Sequence, residues 1–376
     1  MLAERVKVAT GPTWVEVDLN AIRHNLRLYL DKCPGSKVIA VVKGDAYGHG
    51  IIEISKAVLD AGAWGLGVAR VSEGLLLRSS GIDAPIIVLG YSSEQEIKQA
   101  VASDLAISVS TEKMLDWILA TAREVGRIPR IHLEVDTGMR RLGVKFEDAA
   151  QIVHYIHGTN SVYLEGIFTH FASADDPEGF LFKRQLSMFQ DLIHLIRERG
   201  EVPPIVHAAN SAAALYAPES HFDAVRIGIG LYGVQPLQFK TYPLRPAMAL
   251  RSVVARVLDV HAGEGVSYGH TYVAKESHRA AVIPCGYADG YPRILSNKGE
   301  VIVSGIRCPV IGRVCMDNLI VKLPEGVDAR VGDAVTLIGS QGSETVDAGY
   351  LARLAGTIPY EILCGIGRRP EKIYIN

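Results

Sequence analysis

Lys43 stands where an apolar run ends and a glycine-rich segment begins. Residues 38–42 read Val-Ile-Ala-Val-Val, and the lysine is followed by Gly44, Tyr47 and His49 within seven positions. A buried strand that delivers an amine at its carboxyl end, beside a loop of free backbone amides, can hold a Schiff base and an anionic group together. The alternative is a lysine that marks the solvated end of a strand, because lysine side chains are usually exposed.

Further polar residues fall at the ends of later apolar runs or just after them: Arg141, His170, Asn210, Ser211 and Arg226. The carboxyl ends of the strands of a closed parallel barrel meet at one rim, where functional groups gather. We therefore expect these side chains and Lys43 to share that rim and to form the active site.

The elements that must position these residues alternate regularly between residues 38 and 234. Helical patterns such as Thr111–Gly126 and Gly179–Gly200 separate eight short apolar runs. The predicted strands are 38–43, 64–69, 85–90, 105–110, 130–137, 162–171, 204–210 and 224–231. Eight strand–helix units predict an α/β chain with a (β/α)8 TIM-like barrel. An open doubly wound sheet would normally carry Gly-x-Gly-x-x-Gly after its first strand, and this sequence has none there.

The pattern changes after Tyr242-Pro243-Leu244-Arg245-Pro246, where β-rich segments separated by turns begin. We expect the barrel at 1–241 and a C-terminal mostly-β domain at 242–376, with the option that residues 1–17 pack with the second domain. The predicted elements outside the barrel are a strand at Trp14–Leu19, a helix at Asn20–Leu30, strands at Ala249–Val260, Ala280–Pro284, Glu300–Ile306, Leu319–Leu323 and Ala334–Ile338, and a single helix near Val346–Gly356 before a final strand.

Composition limits the possible classes of protein. The 376 residues are 48% hydrophobic and 21% charged, as in a folded protein, and the net charge of −2 gives no reason to expect a nucleic acid or an anionic membrane as partner. The polar opening does not resemble a signal peptide, and no apolar run is long enough to span a bilayer. Five scattered cysteines without a Cys-x-x-Cys pair argue against a disulfide framework or a metal site, and favour a cytoplasmic protein.

A phosphate site is indicated by Gly228-Ile229-Gly230 together with Ser211. Glycines let backbone N–H groups approach an anion, and the hydroxyl adds a donor. Glycine pairs also mark ordinary turns, so the signal is weak alone. Beside a lysine and an arginine it points to pyridoxal 5'-phosphate, whose aldehyde suits the amine and whose phosphate suits the loop.

The chain resembles the alanine racemase family over nearly all of its length. The motifs that carry the resemblance are Val42–Gly50, Asp136–Gly143, Thr169–Asp175, Ala209–Ala212, Val225–Gly233, Val266–Gly269, Gly286–Gly290 and Gly312–Asp317. The resemblance implies a pyridoxal phosphate enzyme, built from a barrel and a C-terminal β domain, that interconverts L-alanine and D-alanine and supplies D-alanine for peptidoglycan. It also implies a homodimer with composite active sites.

The resemblance assigns the two proton handlers that racemisation needs on opposite faces of the substrate. Lys43 would carry the Schiff base and serve one face, and Tyr268 from the partner subunit would serve the other. Arg226 would face the pyridine nitrogen, and because guanidinium does not give up its proton, the ring would stay uncharged and transamination would be disfavoured. His170 would link Arg226 to Tyr268 and so help to lower the pKa of the phenol.

The remaining roles implied by the resemblance concern binding. Arg141 and the backbone amide of Met316 would bind the substrate carboxylate, and Arg141 would also contact the phenolic oxygen of the cofactor. Tyr287 from the partner chain would line the entry to the active site. Asp317 and Glu134 would support these residues without contacting the substrate. The expected cofactor-binding residues are Lys43, Tyr47, Arg141, His170, Asn210, Ser211, Arg226, Gly228 and Ile229.

Two positions depart from the pattern of many relatives. Glu134 occupies a place where many relatives carry a carbamylated lysine, and we predict that it orients Arg141 directly without carbon dioxide. Some relatives place an active-site tyrosine shortly after the segment that matches Tyr360–Cys364, whereas here Gly367-Arg368-Arg369-Pro370 follows. Because of this difference, the sequence does not determine which residue forms the gate of the active site, which residue makes one of the phosphate contacts, or which substrate is preferred.

Three alternatives remain at this point. The chain could be a racemase for serine or for several amino acids, or a barrel-type pyridoxal phosphate decarboxylase, which Arg226 and the lack of a basic-substrate pocket disfavour. It could also be a pyridoxal phosphate-binding regulator without turnover, which the pair Lys43 and Tyr268 and the full second domain oppose.

Overall fold

The computed structural model describes residues 9–176, 179–367 and 369–376. These residues form two compact units. One comprises Ile22–Ala46 and Ile51–Arg245, and the other comprises the described residues up to Ala21, Tyr47–Gly50 and the described part of Pro246–Asn376.

The first unit is a closed ring of parallel strands, which confirms the predicted barrel. Its strands are β2 (Lys37–Val41), β3 (Gly65–Val68), β4 (Ile86–Val88), β5 (Ala106–Val109), β6 (Arg130–Asp136), β8 (Tyr163–Phe168), β9 (Ile205–His207) and β10 (Ala224–Ile227). They pair in chain order, and β10 closes the ring on β2 with Val225 opposite Val38. A two-residue strand, β7 (Val144–Lys145), pairs in parallel with the end of β6, with Val144 opposite Val135. The strands are buried almost throughout, as expected for a parallel sheet that is covered on both faces.

Helices follow the strands around the ring. They are Leu19–Lys32, Ile51–Asp60, Val71–Ser79, Glu94–Ala102, Glu112–Val125, Phe146–His157, Phe180–Glu198 and Ala213–Tyr216, with short 3-10 turns at Pro218–Ser220 and Ile229–Tyr232. The predicted signals at 111–126 are present: Thr111 accepts a hydrogen bond from Met114 N–H, and Gly126 ends the helix in the left-handed conformation.

Several strands end earlier than predicted, most clearly the sixth, seventh and eighth strands of the barrel. The sequence predicted 162–171, 204–210 and 224–231, but β8 ends at Phe168, β9 at His207 and β10 at Ile227. The residues that continue these runs belong to the loops of the rim, where the carbonyls of His170 and Ala208 accept hydrogen bonds from the side chains of Gln185 and Arg226.

The second unit is mostly β, as predicted. Its strands are β1 (Trp14–Asp18), β11 (Met248–Val253), β12 (Arg256–Val260), β13 (Gly265–Val266), β14 (Tyr272–Val273), β15 (His278–Ile283), β16 (Glu300–Val303), β17 (Ile306–Pro309), β18 (Leu319–Lys322), β19 (Ala334–Gln341), β20 (Glu344–Val346) and β21 (Glu371–Ile375). The largest sheet has the order β17-β16-β19-β11-β1-β21, with β20 on β19, and β12-β15-β18 and β13-β14 form two smaller sheets. Short 3-10 turns lie at Tyr268–His270 and Arg293–Leu295.

Three details of this unit differ from the prediction. Ala249–Val260 is two strands in different sheets, and Glu300–Ile306 includes the turn of a hairpin, where Ser304 and Gly305 have positive φ. Two helices, Ala348–Ala355 and Pro359–Gly365, replace the single predicted one. Gly356 ends the first in the left-handed conformation, and Pro359 begins the second at a position that needs no N–H.

No helix within the described residues is long and apolar enough to cross a bilayer.

Candidate active site

Lys43 lies just after β2, half-buried, and begins a left-handed turn. The four residues that follow it have φ between +53° and +64°, and three of them, Asp45, Ala46 and Tyr47, are not glycine. A left-handed conformation costs roughly 1–2 kcal/mol for each such residue. Strain of this kind persists where surrounding contacts enforce it, and it is concentrated at functional sites.

Glu73 supplies several of the contacts that hold this turn. Its Oε1 accepts a hydrogen bond from Gly44 N–H at 2.7 Å, and its Oε2 accepts from Ala69 N–H at 2.8 Å and Arg70 N–H at 3.1 Å. One carboxylate therefore joins the loop after β2 to the loop after β3. This role was not predictable from the sequence, because an acidic residue in the first turn of a helix, as Glu73 is, is common.

Ser211 and the loop after β10 place a hydroxyl and several backbone N–H groups close together, as in sites that bind anions. Ser211 Oγ accepts hydrogen bonds from Gly228 N–H at 2.9 Å and Gly230 N–H at 3.3 Å, and Asn210 Oδ1 accepts two amides at the start of the short helix Ala213–Tyr216. Within the described chain the N–H groups of Ser211 and Ile229 have no acceptor. Two unpaired amides beside a hydroxyl suit a phosphate group.

Arg226 is 4% exposed, and protein acceptors surround both of its Nη atoms. Nη1 donates to the carbonyl oxygen of His207 at 3.1 Å and faces its Nδ1 at 2.8 Å. Nη2 donates to the carbonyl oxygens of Thr169 at 2.7 Å and Ala208 at 3.0 Å. Among the residues that the structure describes, none accepts from Nε. Burial lowers the pKa of Arg226 to about 10, so the side chain remains a cation at neutral pH. Its Nε–H is the donor for which the described residues provide no acceptor.

His170 is half-buried, and its Nδ1 lies 3.3 Å from Nη2 of Arg226. Because guanidinium can only donate, Nδ1 must be the acceptor, and the imidazole proton resides on Nε2. Burial first, and then the positive charges of Arg226, Arg141 and Lys43, lower the pKa of His170 to about 3. The contact between Arg226 and His170 that the family resemblance implied is therefore present.

Glu134 corrects one expectation. Its side chain is buried, no hydrogen bond or ion pair joins it to Arg141 in the described chain, and its Oε2 has no partner. Burial raises the pKa of Glu134 to about 7, although the charges of Arg226 and Arg141 act in the opposite direction. The carboxyl group therefore acts on the exposed Arg141 side chain through its charge and not through direct contact.

Gln185 is a site residue that the sequence pattern concealed. It is fully buried on the helix Phe180–Glu198, its Nε2 donates to the carbonyl of His170 at 2.9 Å and to Thr137 Oγ1 at 3.2 Å, and its Oε1 accepts from Ala172 N–H at 2.9 Å. The amide thus ties the loop that carries His170 to the Asp-Thr-Gly motif. The sequence does contain one indication of this role, because Gln185 is a polar residue on the apolar, buried face of an amphipathic helix.

The predicted residues of the second unit lie on exposed loops. Tyr268, Tyr287 and Met316 are 71%, 43% and 52% exposed. The loops of Tyr287 and Met316 are joined by backbone hydrogen bonds: Tyr287 N–H donates to the carbonyl of Cys315 and Ala288 N–H to that of Met316, both at 3.0 Å. These hydrogen bonds therefore hold the two loops together.

Arg369 ties the same pair of loops together. Its Nε and Nη2 donate to the two carboxylate oxygens of the buried Asp289, both at 2.6 Å, and its Nη1 donates to Asp317 at 2.5 Å. Bidentate arginine–carboxylate pairs fix geometry well. Arg368, the other arginine that departs from the family pattern, lies outside the described residues.

Tyr360 lies beside Tyr47, with 6.0 Å between the ring centroids. Tyr47 is buried, and burial raises the pKa of its phenol. Tyr360 lies at the start of the segment Tyr360–Cys364, not after it, so the motif pattern did not point to it. A tyrosine is thus present next to an expected phosphate ligand.

The described residues contain no group of three or more histidine, cysteine, aspartate or glutamate side chains placed to hold a metal ion.

Comparison with known proteins identifies the family. Residues 17–236 match the alanine racemase N-terminal domain, and residues 247–374 match the alanine racemase C-terminal domain. The chain is 42% identical to an alanine racemase of Symbiobacterium thermophilum, over 96% of this chain and 97% of that protein, and 40% identical to one of Methanococcus maripaludis, over 98% and 100%. It is similar to the crystal structure of an alanine racemase from Streptomyces lavendulae, with a TM-score of 0.92, 38% identity and 98% of each chain covered. The alanine racemase of Bacillus anthracis with bound L-Ala-P also matches, with a TM-score of 0.92 and 38% identity over 98% of this chain and 96% of that one. This chain therefore belongs to the alanine racemase family.

Proposed function

We propose that the protein is a pyridoxal 5'-phosphate-dependent isomerase that interconverts L-alanine and D-alanine. The observation that carries the proposal, beyond membership of the family, is the buried Arg226, whose Nη atoms face protein acceptors and whose Nε is left to donate. A permanent donor at this position suits a ring nitrogen that must remain an unprotonated acceptor.

The residues of the barrel fit this cofactor. Lys43 provides an amine for the aldehyde, and the unpaired amides of Ser211 and Ile229, with the Ser211 hydroxyl, suit the phosphate. The remaining residues that would hold the cofactor are Tyr47, Arg141, His170, Asn210, Arg226 and Gly228. When bound, the conjugated ring of the cofactor makes the α-hydrogen of an attached amino acid acidic.

The residues of this chain would then move protons on two faces of the α-carbon. Lys43 would remove or return a proton on one face through its amine, and Tyr268 would do so on the other through its phenol. Tyr268 is 71% exposed on its own unit, which agrees with a residue that completes the site of a second copy. We therefore propose a two-fold homodimer with composite sites.

His170 and Arg226 would support the two proton handlers. The neutral imidazole uses Nδ1 to accept from Arg226, so its Nε2–H is the group left to contact Tyr268 of the partner copy. A donor at that place stabilises the ionised phenol and lowers its pKa.

The substrate carboxylate would be held by Arg141 and by the backbone amide of Met316. Asp317 and Arg369 fix the Met316 loop against the Tyr287 loop, and Tyr287 would line the way into the site. Glu134 would supply negative charge behind Arg141. We place the enzyme in the cytoplasm, where it would supply D-alanine for peptidoglycan.

The test is the appearance of D-alanine from L-alanine with purified protein and added cofactor. We expect conversion to an equal mixture of enantiomers, with Lys43→Ala losing both activity and the absorbance band of the protein-linked cofactor. Serine and lysine, offered in parallel, should react much more slowly. A protein that converts serine or lysine faster than alanine would refute the proposed specificity, and release of carbon dioxide would refute the reaction.

A further inference from the structure

We propose that His207, His132 and Glu165 form a hydrogen-bond chain of fixed direction that holds Arg226 from inside the barrel. The three are positioning residues, since they act through Arg226. The consequence for the cofactor depends on the proposed function, whereas the direction of the chain does not.

The chain is continuous and buried. Arg226 Nη1 lies 2.8 Å from His207 Nδ1, and His207 Nε2 lies 2.9 Å from His132 Nδ1. His132 Nε2 then lies 3.2 Å from Glu165 Oε2, and Arg130 Nη1 closes the chain at 3.2 Å from Glu165 Oε1. His132 and His207 are 0% exposed, and Glu165 is 8% exposed.

The groups at the two ends determine the direction of every bond. The guanidinium of Arg226 can only donate, so His207 Nδ1 must accept and its proton must lie on Nε2. That proton points to His132 Nδ1, which must also accept, so the proton of His132 lies on Nε2 as well. It meets the carboxylate of Glu165, which can only accept. Both histidines are therefore neutral and carry their hydrogen on Nε2.

The electrostatics of the three groups agree with this arrangement. Burial lowers the pKa of both histidines, which favours the neutral imidazoles. The pKa of Glu165 is lowered overall: burial raises it, whereas the hydrogen bonds from His132 and Arg130 and the charge of Arg130 lower it. The chain thus separates a buried cation from an ionised carboxylate by two neutral relays.

Packing holds the rings in the required orientation. Phe168 stacks on His207, with ring centroids 4.8 Å apart and 14° between the planes. The guanidinium carbon of Arg226 lies over the Phe168 ring, 5.1 Å from its centroid. Gly166 leaves the space for His132, because a Cβ at residue 166 would lie 2.2 Å from His132 Nδ1. These neighbours pack closely against both imidazoles.

The arrangement has a consequence for catalysis under the proposed function. If the chain holds Nη1 and the carbonyls of the rim hold Nη2, Nε is the donor that would be left for the ring nitrogen of the cofactor. A displaced Arg226 would allow that nitrogen to gain a proton, and transamination would compete. In transamination the amino group of alanine passes to the aldehyde carbon of the cofactor, which gains the α-hydrogen. Alanine leaves as pyruvate with an oxygen from water, so the substrate is oxidised and the cofactor is reduced.

The direct test is nitrogen-15 NMR of histidine-labelled holoenzyme, with the two signals assigned through His132→Gln and His207→Gln. We expect both residues to carry hydrogen on Nε2 and none on Nδ1 between pH 6 and pH 8. A hydrogen on Nδ1 of either ring, or an imidazolium, would overturn the proposal. This readout needs no turnover, so it remains decisive even for a protein that does not racemise alanine.

A matched pair of variants tests the link to Arg226. Glutamine at 207 can still accept from Arg226 and donate to His132, whereas leucine can do neither. We expect His207→Leu to raise pyruvate formed per D-alanine by about tenfold or more, since a lost hydrogen bond to a charged group is worth about 1.5–3 kcal/mol. His207→Gln should stay within about twofold of the parent, because it retains both hydrogen-bonding functions. Equal ratios for leucine and the parent would overturn the positioning role.

Discussion

Replacing Glu134 by glutamine should stabilise the fold in alkaline solution. The carboxyl group is 6% exposed, its Oε2 has no hydrogen-bond partner in the described chain, and burial raises its pKa from 4.5 to about 7. Ionising a buried group without hydrogen bonds costs free energy even when cations are near, because the lost hydration is not replaced.

The size of the effect follows from proton linkage. Between pH 4.5 and pH 7 the folded state binds more protons at Glu134 than the unfolded state does, so stability falls as the pH rises. The raised pKa of Glu134 lowers the free energy of unfolding, and this loss reaches its full size above pH 7. The loss is about 3 kcal/mol at pH 8 and less than about 1 kcal/mol at pH 5. Glutamine has a similar shape and never ionises. Glu134→Gln should therefore gain about 3 kcal/mol at pH 8 and little at pH 5.

Urea unfolding of the cofactor-free protein, followed by circular dichroism at both pH values, measures the difference. Glu147→Gln is the matched control, because Glu147 is exposed in the first turn of a helix and its loss should cost less than about 1 kcal/mol. An equal gain at both pH values, or no gain at pH 8, would refute the reasoning. The same variant should lose activity if the negative charge positions Arg141, so full activity would count against that role.

Further substitutions test other parts of the site. Tyr268→Phe should leave the absorbance of the bound cofactor intact and greatly slow the conversion of L-alanine, because it removes the phenol; unchanged turnover would exclude the two-base scheme. Gln185→Leu removes three buried hydrogen bonds and should cost about 3 kcal/mol or more in urea unfolding, whereas leucine at the exposed Gln190 of the same helix should change stability by less than about 0.5 kcal/mol. Gly166→Ala places a Cβ against His132 Nδ1 and should destabilise the fold by about 1–3 kcal/mol, and a neutral result would mean that the ring has room to move.

The barrel was predictable because each strand is short, apolar and followed by an amphipathic helix. The same rule failed where strands turn without a strong breaker. Met248–Val253 and Arg256–Val260 read as one apolar run, yet they belong to different sheets. The predicted strand Glu300–Ile306 includes the turn of a hairpin, because the turn residues Ser304 and Gly305 lie inside an apolar pattern.

The site was predictable where one residue carries the chemistry, and not where several strands must meet. Lys43, Ser211 and Arg226 stand at strand ends in the sequence, but the chain from Arg226 to Glu165 joins residues of four different strands. No spacing in one dimension encodes such contacts. Glu134 shows the opposite error, because a charge in the expected place suggested an ion pair that the structure does not form.

Solvent-hydrogen incorporation is the measurement that tests the central claim most directly. L-alanine is incubated with the holoenzyme in heavy water, and early D-alanine is analysed for deuterium at the α-carbon. Removal of the proton on one face and delivery on the other, by the separate groups Lys43 and Tyr268, predicts that this D-alanine carries solvent deuterium. D-alanine that retains its original α-hydrogen would contradict the account, and so would the complete absence of D-alanine.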